Sequence, residues 1–166
     1  MNSQIIVVDD LYDIPHQYHK GFDEGQCVIT DETVGKISQI LGNPIRVVQA
    51  SNEMGTNSGV VAHLECDWIA VIYMTLPLEA FGEMGIRFYS HLPTGIETFP
   101  TKEEIEKYQI DEKEITKVFA SDSKLWKDYS CIPAKYNRMV LFKGHRWHSY
   151  NLNSGIRYQK VIINNG

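Results

Sequence analysis

The chain has 166 residues, of which 43% are apolar and 22% charged, with a formal net charge of -5. That balance fits one globular domain over residues 1–166 and excludes a disordered chain. The mild acidity, without any Lys/Arg cluster, excludes general nucleic-acid binding, which needs a basic face.

In chain order, "QIIVVDD" (Gln4 to Asp10) reads as a first strand, and "DLYDIPHQYHKGF" as a turn with a short helix. "TDETVGKISQILG" (Thr30 to Gly42) carries Val34, Ile37, Ile40 and Leu41 at helical spacing. It has a cap at Thr30 or Asp31 and a stop at Gly42. "PIRVVQA" is a strand. From Gly59 the pattern turns β: "GVVAHLE", "DWIAVIYMT", "GIRFYSH", "KYNRMVLFK", "RWHSYN" and "IRYQKVIIN" are short β-branched and aromatic runs. One charged segment interrupts them. Thr101 to Ser130 is helical in pattern, and Thr101 and Glu104 have capping-box spacing. An N-terminal α/β portion followed by many short strands indicates a sandwich or jelly roll.

Cys27, Cys66 and Cys131 form no CxxC pair, which reads as free thiols in a reducing cytoplasm. "MNSQIIVVDD" has no signal-peptide pattern, and the longest apolar run, "WIAVIYM", is too short to cross a bilayer. Both readings place the protein in the cytoplasm and off the membrane.

The chemistry concentrates in two places. In "GVVAHLECDW", His63 and Glu65 are two apart, so on a strand both point the same way. A histidine and a carboxylate side by side supply two of the three ligands of a non-haem Fe(II) site. In "KGHRWHSYN", His145 and His148 are three apart, so an extended chain sends them to opposite faces. His148 lies in the aromatic run and is the better ligand candidate, whereas His145 belongs to the turn. Nine residues later, Arg157 shares a strand face with Gln159, Val161 and Ile163, while Tyr158, Lys160 and Ile162 share the other. The apolar pair beside Arg157 makes its face the inward one. A guanidinium there needs an anionic partner, either a protein carboxylate or that of a ligand. His16, His19 and His91 read as solvated or turn residues.

These residues resemble the 2-oxoglutarate and Fe(II)-dependent dioxygenase superfamily, and within it the prolyl 4-hydroxylase-like branch with its small versions often carried by phages. "AHLECDWIAVIYMT" is similar to the family's HxD strand and Tyr-containing strand. "GEMGIRFYSHLPTG" resembles its Gly-rich entry, "LWKDYSCIPAKYNRMVLFKGHRWHS" the approach to the distal histidine, and "RYQKVIIN" the arginine strand. The likeness covers most of the chain, with the motif residues in the second half.

The resemblance implies a double-stranded β-helix (jelly roll) with an N-terminal helix and a helical insert, α+β in class and mainly β. It implies Fe(II) on His63, Glu65 and His148, with no catalytic residue beyond these ligands. It implies 2-oxoglutarate as co-substrate, its distal carboxylate on Arg157 and Tyr73, with Gln159 beside them. Glu65 stands where the family usually has Asp, and Gln159 where it often has Ser or Thr; Asp67 shares parity with His63 as a fallback carboxylate. The activity implied is hydroxylation of an unidentified substrate, with a peptide or protein proline as the family-weighted choice and the insert as the substrate-facing segment. The rivals are a non-catalytic jelly-roll module of a phage, and a cupin-like metalloenzyme that uses no 2-oxoglutarate.

Overall fold

The computed structural model describes residues 4–18, 29–75, 81–116 and 124–166. His19, Cys27 and part of the charged insert (117–123) lie outside the described residues. In chain order the elements are β1 (Ile5–Val8), α1 (Asp31–Leu41), β2 (Ile45–Met54), β3 (Trp68–Tyr73), β4 (Gly85–His91), α2 (Lys102–Tyr108), α3 (Glu112–Thr116), β5 (Trp126–Pro133), β6 (Met139–Lys143), β7 (His148–Asn151) and β8 (Arg157–Asn165). Among the described residues eight strands form two sheets, a five-stranded one in the order β1-β6-β3-β8-β2 and a three-stranded one in the order β5-β4-β7. Every pairing is antiparallel. Two facing antiparallel sheets with few helices give a jelly-roll-like domain. No helix among the described residues is long and apolar enough to cross a membrane.

The five-stranded sheet is covered on both faces. On one side Ile69, Val71, Tyr73, Val140, Phe142 and Tyr158 pack against Ile86, Phe88 and Tyr150 of the smaller sheet. On the other side Trp68, Ala70, Ile72, Met139, Leu141, Val161 and Ile163 pack with Ile37 of α1. All six residues of β3 are therefore buried. The α1 boundaries have local causes. The Thr30 hydroxyl accepts the Thr33 N–H at 3.3 Å, acidic Asp31 and Glu32 sit in the first turn, and Gly42 takes φ 73° to end the helix.

The charged insert differs from its sequence pattern. Its capping box forms as expected: Thr101 Oγ1 accepts the Glu104 N–H at 3.2 Å, and Glu104 Oε2 accepts the Thr101 N–H at 2.9 Å. But the helices are short, and residues from Trp126 onward are a strand, β5, paired to β4. Only Trp126 of this strand is buried, and Lys127, Asp128 and Tyr129 that follow it are exposed, so no alternation of period two marks the strand in the sequence. A third core gathers Val60, Ile115, Trp126 and Trp147, with Ile110 and Phe99 packed on it, and so seats the insert on the three-stranded sheet. "GVVAHLE" also differs: only isolated bridges form there, Asn57 to Asn151 and Val61 to His148, and His63 lies in a loop.

Ile37 is fully buried, whereas Ile40 is 37% exposed on the same helix. Ile37→Ala is expected to lower the unfolding free energy by about 2–5 kcal/mol. Ile40→Ala is expected to cost under about 1 kcal/mol. Urea denaturation of the two variants measures the contrast.

Candidate metal and co-substrate site

The His63 loop is fastened to the turn between β6 and β7. Val61 and His148 exchange main-chain bonds of 2.9 and 3.0 Å, the His63 N–H donates to Gly144 O at 2.7 Å, and the Gly144 N–H donates to Asp67 O at 3.1 Å. The approach is too close for a side chain. A Cβ on Gly144 would lie 2.6 Å from Cys66 Sγ and 2.8 Å from Cys66 O. This contact carries His63 to β7, where its ring centroid is 5.6 Å from that of His148. His63 Nδ1 is 2.9 Å from Glu65 Oε1. The expected pair therefore does meet, through a loop and not through strand parity.

His148 is fully buried. Its Nδ1 lies 2.8 Å from the Arg146 carbonyl oxygen and must donate to it, which leaves the lone pair on Nε2. Nε2 is buried and has no hydrogen-bond partner. Burial pushes the His148 pKa down to about 3, so the imidazole is neutral, as a metal ligand must be. Burial also pulls the Glu65 carboxyl upward, but its backbone bonds and His63 outweigh this and hold it below the ordinary carboxylate value. Glu65 is thus an anion, with its side chain 68% exposed. The three side chains are neighbours without forming a closed cluster: no group of three or more His, Cys, Asp or Glu among the described residues is arranged around one point. Glu65 rests instead on His63. The donor set nevertheless suits a divalent metal, and the orphaned Nε2 of His148 is the buried atom such an ion would satisfy.

A cavity of about 260 Å³ opens beside this pair, lined by His63, Glu65, Gln49, Ser51, Glu53 and Lys160. A larger cleft of about 450 Å³, around Asp10, Tyr12 and Lys135, holds none of the histidines. Lys160 stands opposite Ser51 of β2, with Nζ 5.8 Å from the centroid of the Tyr150 ring. No carboxylate makes an ion pair with Lys160 among the described residues. Deeper in, rings run from His148 to Tyr150 (5.7 Å), Tyr158 (5.7 Å) and Tyr73 (6.1 Å). The hydroxyls of Tyr73 and Tyr150 are buried without partners, and burial raises the pKa of both.

Arg157 and Gln159 lie elsewhere. The inner side of β8 carries Tyr158, Lys160 and Ile162, while Val161 and Ile163 face α1. Arg157 shares that second side and is exposed at the start of the strand, and Gln159, 2% exposed, stands beside Ile72 of the α1-facing core. The apolar pair that made the Arg157 face look inward belongs to a second core. Both faces of this sheet are covered, so apolar neighbours do not tell them apart. The inner cation is Lys160, and its signal was a lone lysine in the middle of an apolar strand. His145 is half-buried in the turn, as its place beside Gly144 implied. His91, read as a turn residue, is 3% exposed and packs on Trp126 and Trp147.

Residues 63–162 match a protein-family profile described as a family of unknown function, DUF6445. The chain belongs to this family. The match begins at His63 and includes Glu65, His148 and Lys160, while the β2 wall of the cavity lies before it. No curated protein matches the chain. Among solved structures, it resembles the non-heme alpha ketoglutarate dependent epimerase SnoN from nogalamycin biosynthesis, with a TM-score of 0.58 at 10% identity over 99% of this chain and 78% of that one. It also resembles HygX from Streptomyces hygroscopicus. The iron-bound HygX structure gives a TM-score of 0.53 at 7% identity over 99% of this chain and 83% of that one. The structure with nickel and 2-oxoglutarate gives 0.55 at 8% identity over 98% and 81%. This family member thus shares its fold with SnoN and HygX.

Gly144→Ala tests the contact that brings the histidines together. Forcing a methyl against Cys66 is expected to cost about 1–3 kcal/mol of stability in urea denaturation. It should also shift the ring signals of His63 in NMR spectra, while Gly35→Ala in α1, with nothing within 4 Å of its added Cβ, leaves them in place.

Proposed function

We propose that the protein is an Fe(II)- and 2-oxoglutarate-dependent oxygenase whose co-substrate cation is Lys160. The observation that carries this reading is one cavity holding the His63–Glu65 pair together with an ammonium group that no carboxylate among the described residues pairs with. The likeness in fold to SnoN and HygX supports it.

His63, Glu65 and His148 would hold the metal. Two neutral nitrogens and one carboxylate oxygen are the donor set that non-haem Fe(II) oxygenases use. Iron bound there would supply the oxygen chemistry, in which one atom of O2 goes to 2-oxoglutarate, giving succinate and CO2, and the other serves to oxidise a C–H bond of the substrate. The protein's own residues supply binding and exclusion. Lys160 neutralises the distal carboxylate of the dicarboxylic acid, as a compact charge where the resemblance implied a planar guanidinium. The Tyr73 and Tyr150 hydroxyls, which burial keeps protonated and which have no partner among the described residues, would be donors for the same ligand. The aromatic floor of Tyr150 and Tyr158 keeps water from the ligand's carbon chain. Glu53 and Ser51, bonded to each other at 2.7 Å, line the outer wall. Arg157 and Gln159, on the far side of the strand, take no part.

Anaerobic titration of 2-oxoglutarate into the Fe(II)-loaded protein, followed by oxygen-dependent succinate formation, tests the reading. Lys160→Met is expected to weaken 2-oxoglutarate binding on the order of 10–100-fold, the worth of one charge-assisted interaction. Arg157→Met is expected to leave it within about twofold. The reverse ranking would return the role to Arg157. If the iron-loaded wild type binds no 2-oxoglutarate, the oxygenase reading is wrong.

A further inference from the structure

Arg146 is 1% exposed, two residues before His148, and a guanidinium at that depth is tolerated only with partners. It has them from two other elements. Its Nη1 lies 3.3 Å from Glu97 Oε2, in the segment after β4, and donates to the hydroxyl of Tyr129 on β5. The main chain is stapled at the same place: the Phe99 N–H donates to His145 O at 2.7 Å and the Trp147 N–H to Glu97 O at 3.3 Å. Tyr129 reaches Arg146 because β5 is irregular there. The β4–β5 register runs from Phe88–Ser130 to Tyr89–Asp128, so Tyr129 is the extra residue of a β-bulge. Bulges re-aim side chains and gather near functional sites. The Arg146 backbone carbonyl, in turn, takes the Nδ1 proton of His148.

We propose that Arg146 is a positioning residue: locked by Glu97 and the bulged Tyr129, it holds its carbonyl on His148 Nδ1 and so fixes the tautomer that leaves Nε2 as the acceptor. The lock works through geometry. The orientation of a histidine ligand is set by the bond its other nitrogen makes, and removing such a partner typically weakens metal binding 10–100-fold. Here the partner is a main-chain oxygen, so the side chain of the same residue is the part that evolution or an experimenter can change. The inference rests on the reading of His148 as a metal ligand, but its first readout needs no metal.

The experiment uses the full chain with 15N-labelled histidine. In the metal-free wild type, long-range 1H–15N spectra should show His148 protonated on Nδ1 alone. Tyr129→Phe and Arg146→Gln should both give mixed tautomers at His148 and weaken Co(II) binding about 10-fold or more. Arg146→Lys, which keeps a cation beside Glu97, should retain more of the affinity than Arg146→Gln. Tyr129→Phe removes one oxygen from a side chain 40% exposed, so it keeps the test alive if Arg146→Gln fails to fold. A proton on Nε2 in the wild type overturns the proposal. So does an unchanged tautomer together with unchanged Co(II) affinity in Tyr129→Phe. If the wild type binds no Co(II), the metal-site reading falls while the tautomer measurement still decides the lock.

Discussion

The candidate site depends on a sheet that is sealed on both faces. β3, β6 and β8 sit in the middle of the five-stranded sheet, between α1 on one side and the three-stranded sheet on the other. β3 is buried at every position, and each large apolar side chain taken fully out of water in these strands is worth roughly 1.5–3 kcal/mol. A polar side chain on the inner face is correspondingly costly. Lys160 and Tyr73 occupy that face, His148 and Tyr150 look onto it from the smaller sheet, and Tyr73, His148 and Tyr150 have buried atoms without partners. Their cost falls on the fold, and it is offset when a ligand satisfies them.

The electrostatics of the cavity follow from its walls. Tyrosines and Phe142 surround His148 on the inner side, so it stays uncharged. Glu65, near the solvent, keeps its charge, and Lys160 lies between these extremes, half-buried over the Tyr150 ring. Neutral nitrogen, anionic oxygen and an ammonium therefore lie along a gradient of burial. That order matches what a metal and a dicarboxylate would each require: two uncharged donors with a single anion for the ion, and a cation set apart from it.

Much of this was legible from the residues. Seven of the eight strands coincide with β-rich runs read from the sequence, and α1 begins and ends at its cap residues. His63, Glu65 and His148 emerged as candidates from spacing and aromatic context, and the structure brings them side by side. What stayed hidden has a common cause. Parity assigns residues of a strand to two sets, but it names the inner set only when the other faces water. β8 has apolar residues on both sides, so Val161 and Ile163 could not tell the side of Arg157, which faces α1, from the side of Lys160, which faces the smaller sheet. β5 was hidden for another reason. Its composition is charged and helix-like, and only pairing with β4 makes the strand, a tertiary effect that local propensity does not carry.

The two halves of the proposed metal-binding set differ in stiffness. His148 is locked by packing, by its carbonyl partner and by the Val61 bridge. His63 and Glu65 ride on a loop whose anchors are main-chain bonds to Gly144 and His148, with side chains 21% and 68% exposed. Segments with few buried contacts open at the least free energy. An arriving ion would therefore meet a fixed nitrogen first and draw in the adjustable pair second, with Glu65 exchanging the His63 nitrogen for the metal. The extra methylene of Glu65 over aspartate fits that role, because a carboxylate that begins on its neighbour must swing farther to reach a shared centre. On the proposed reading the rigid strand would set where a metal sits, and the loop would set how tightly it is held.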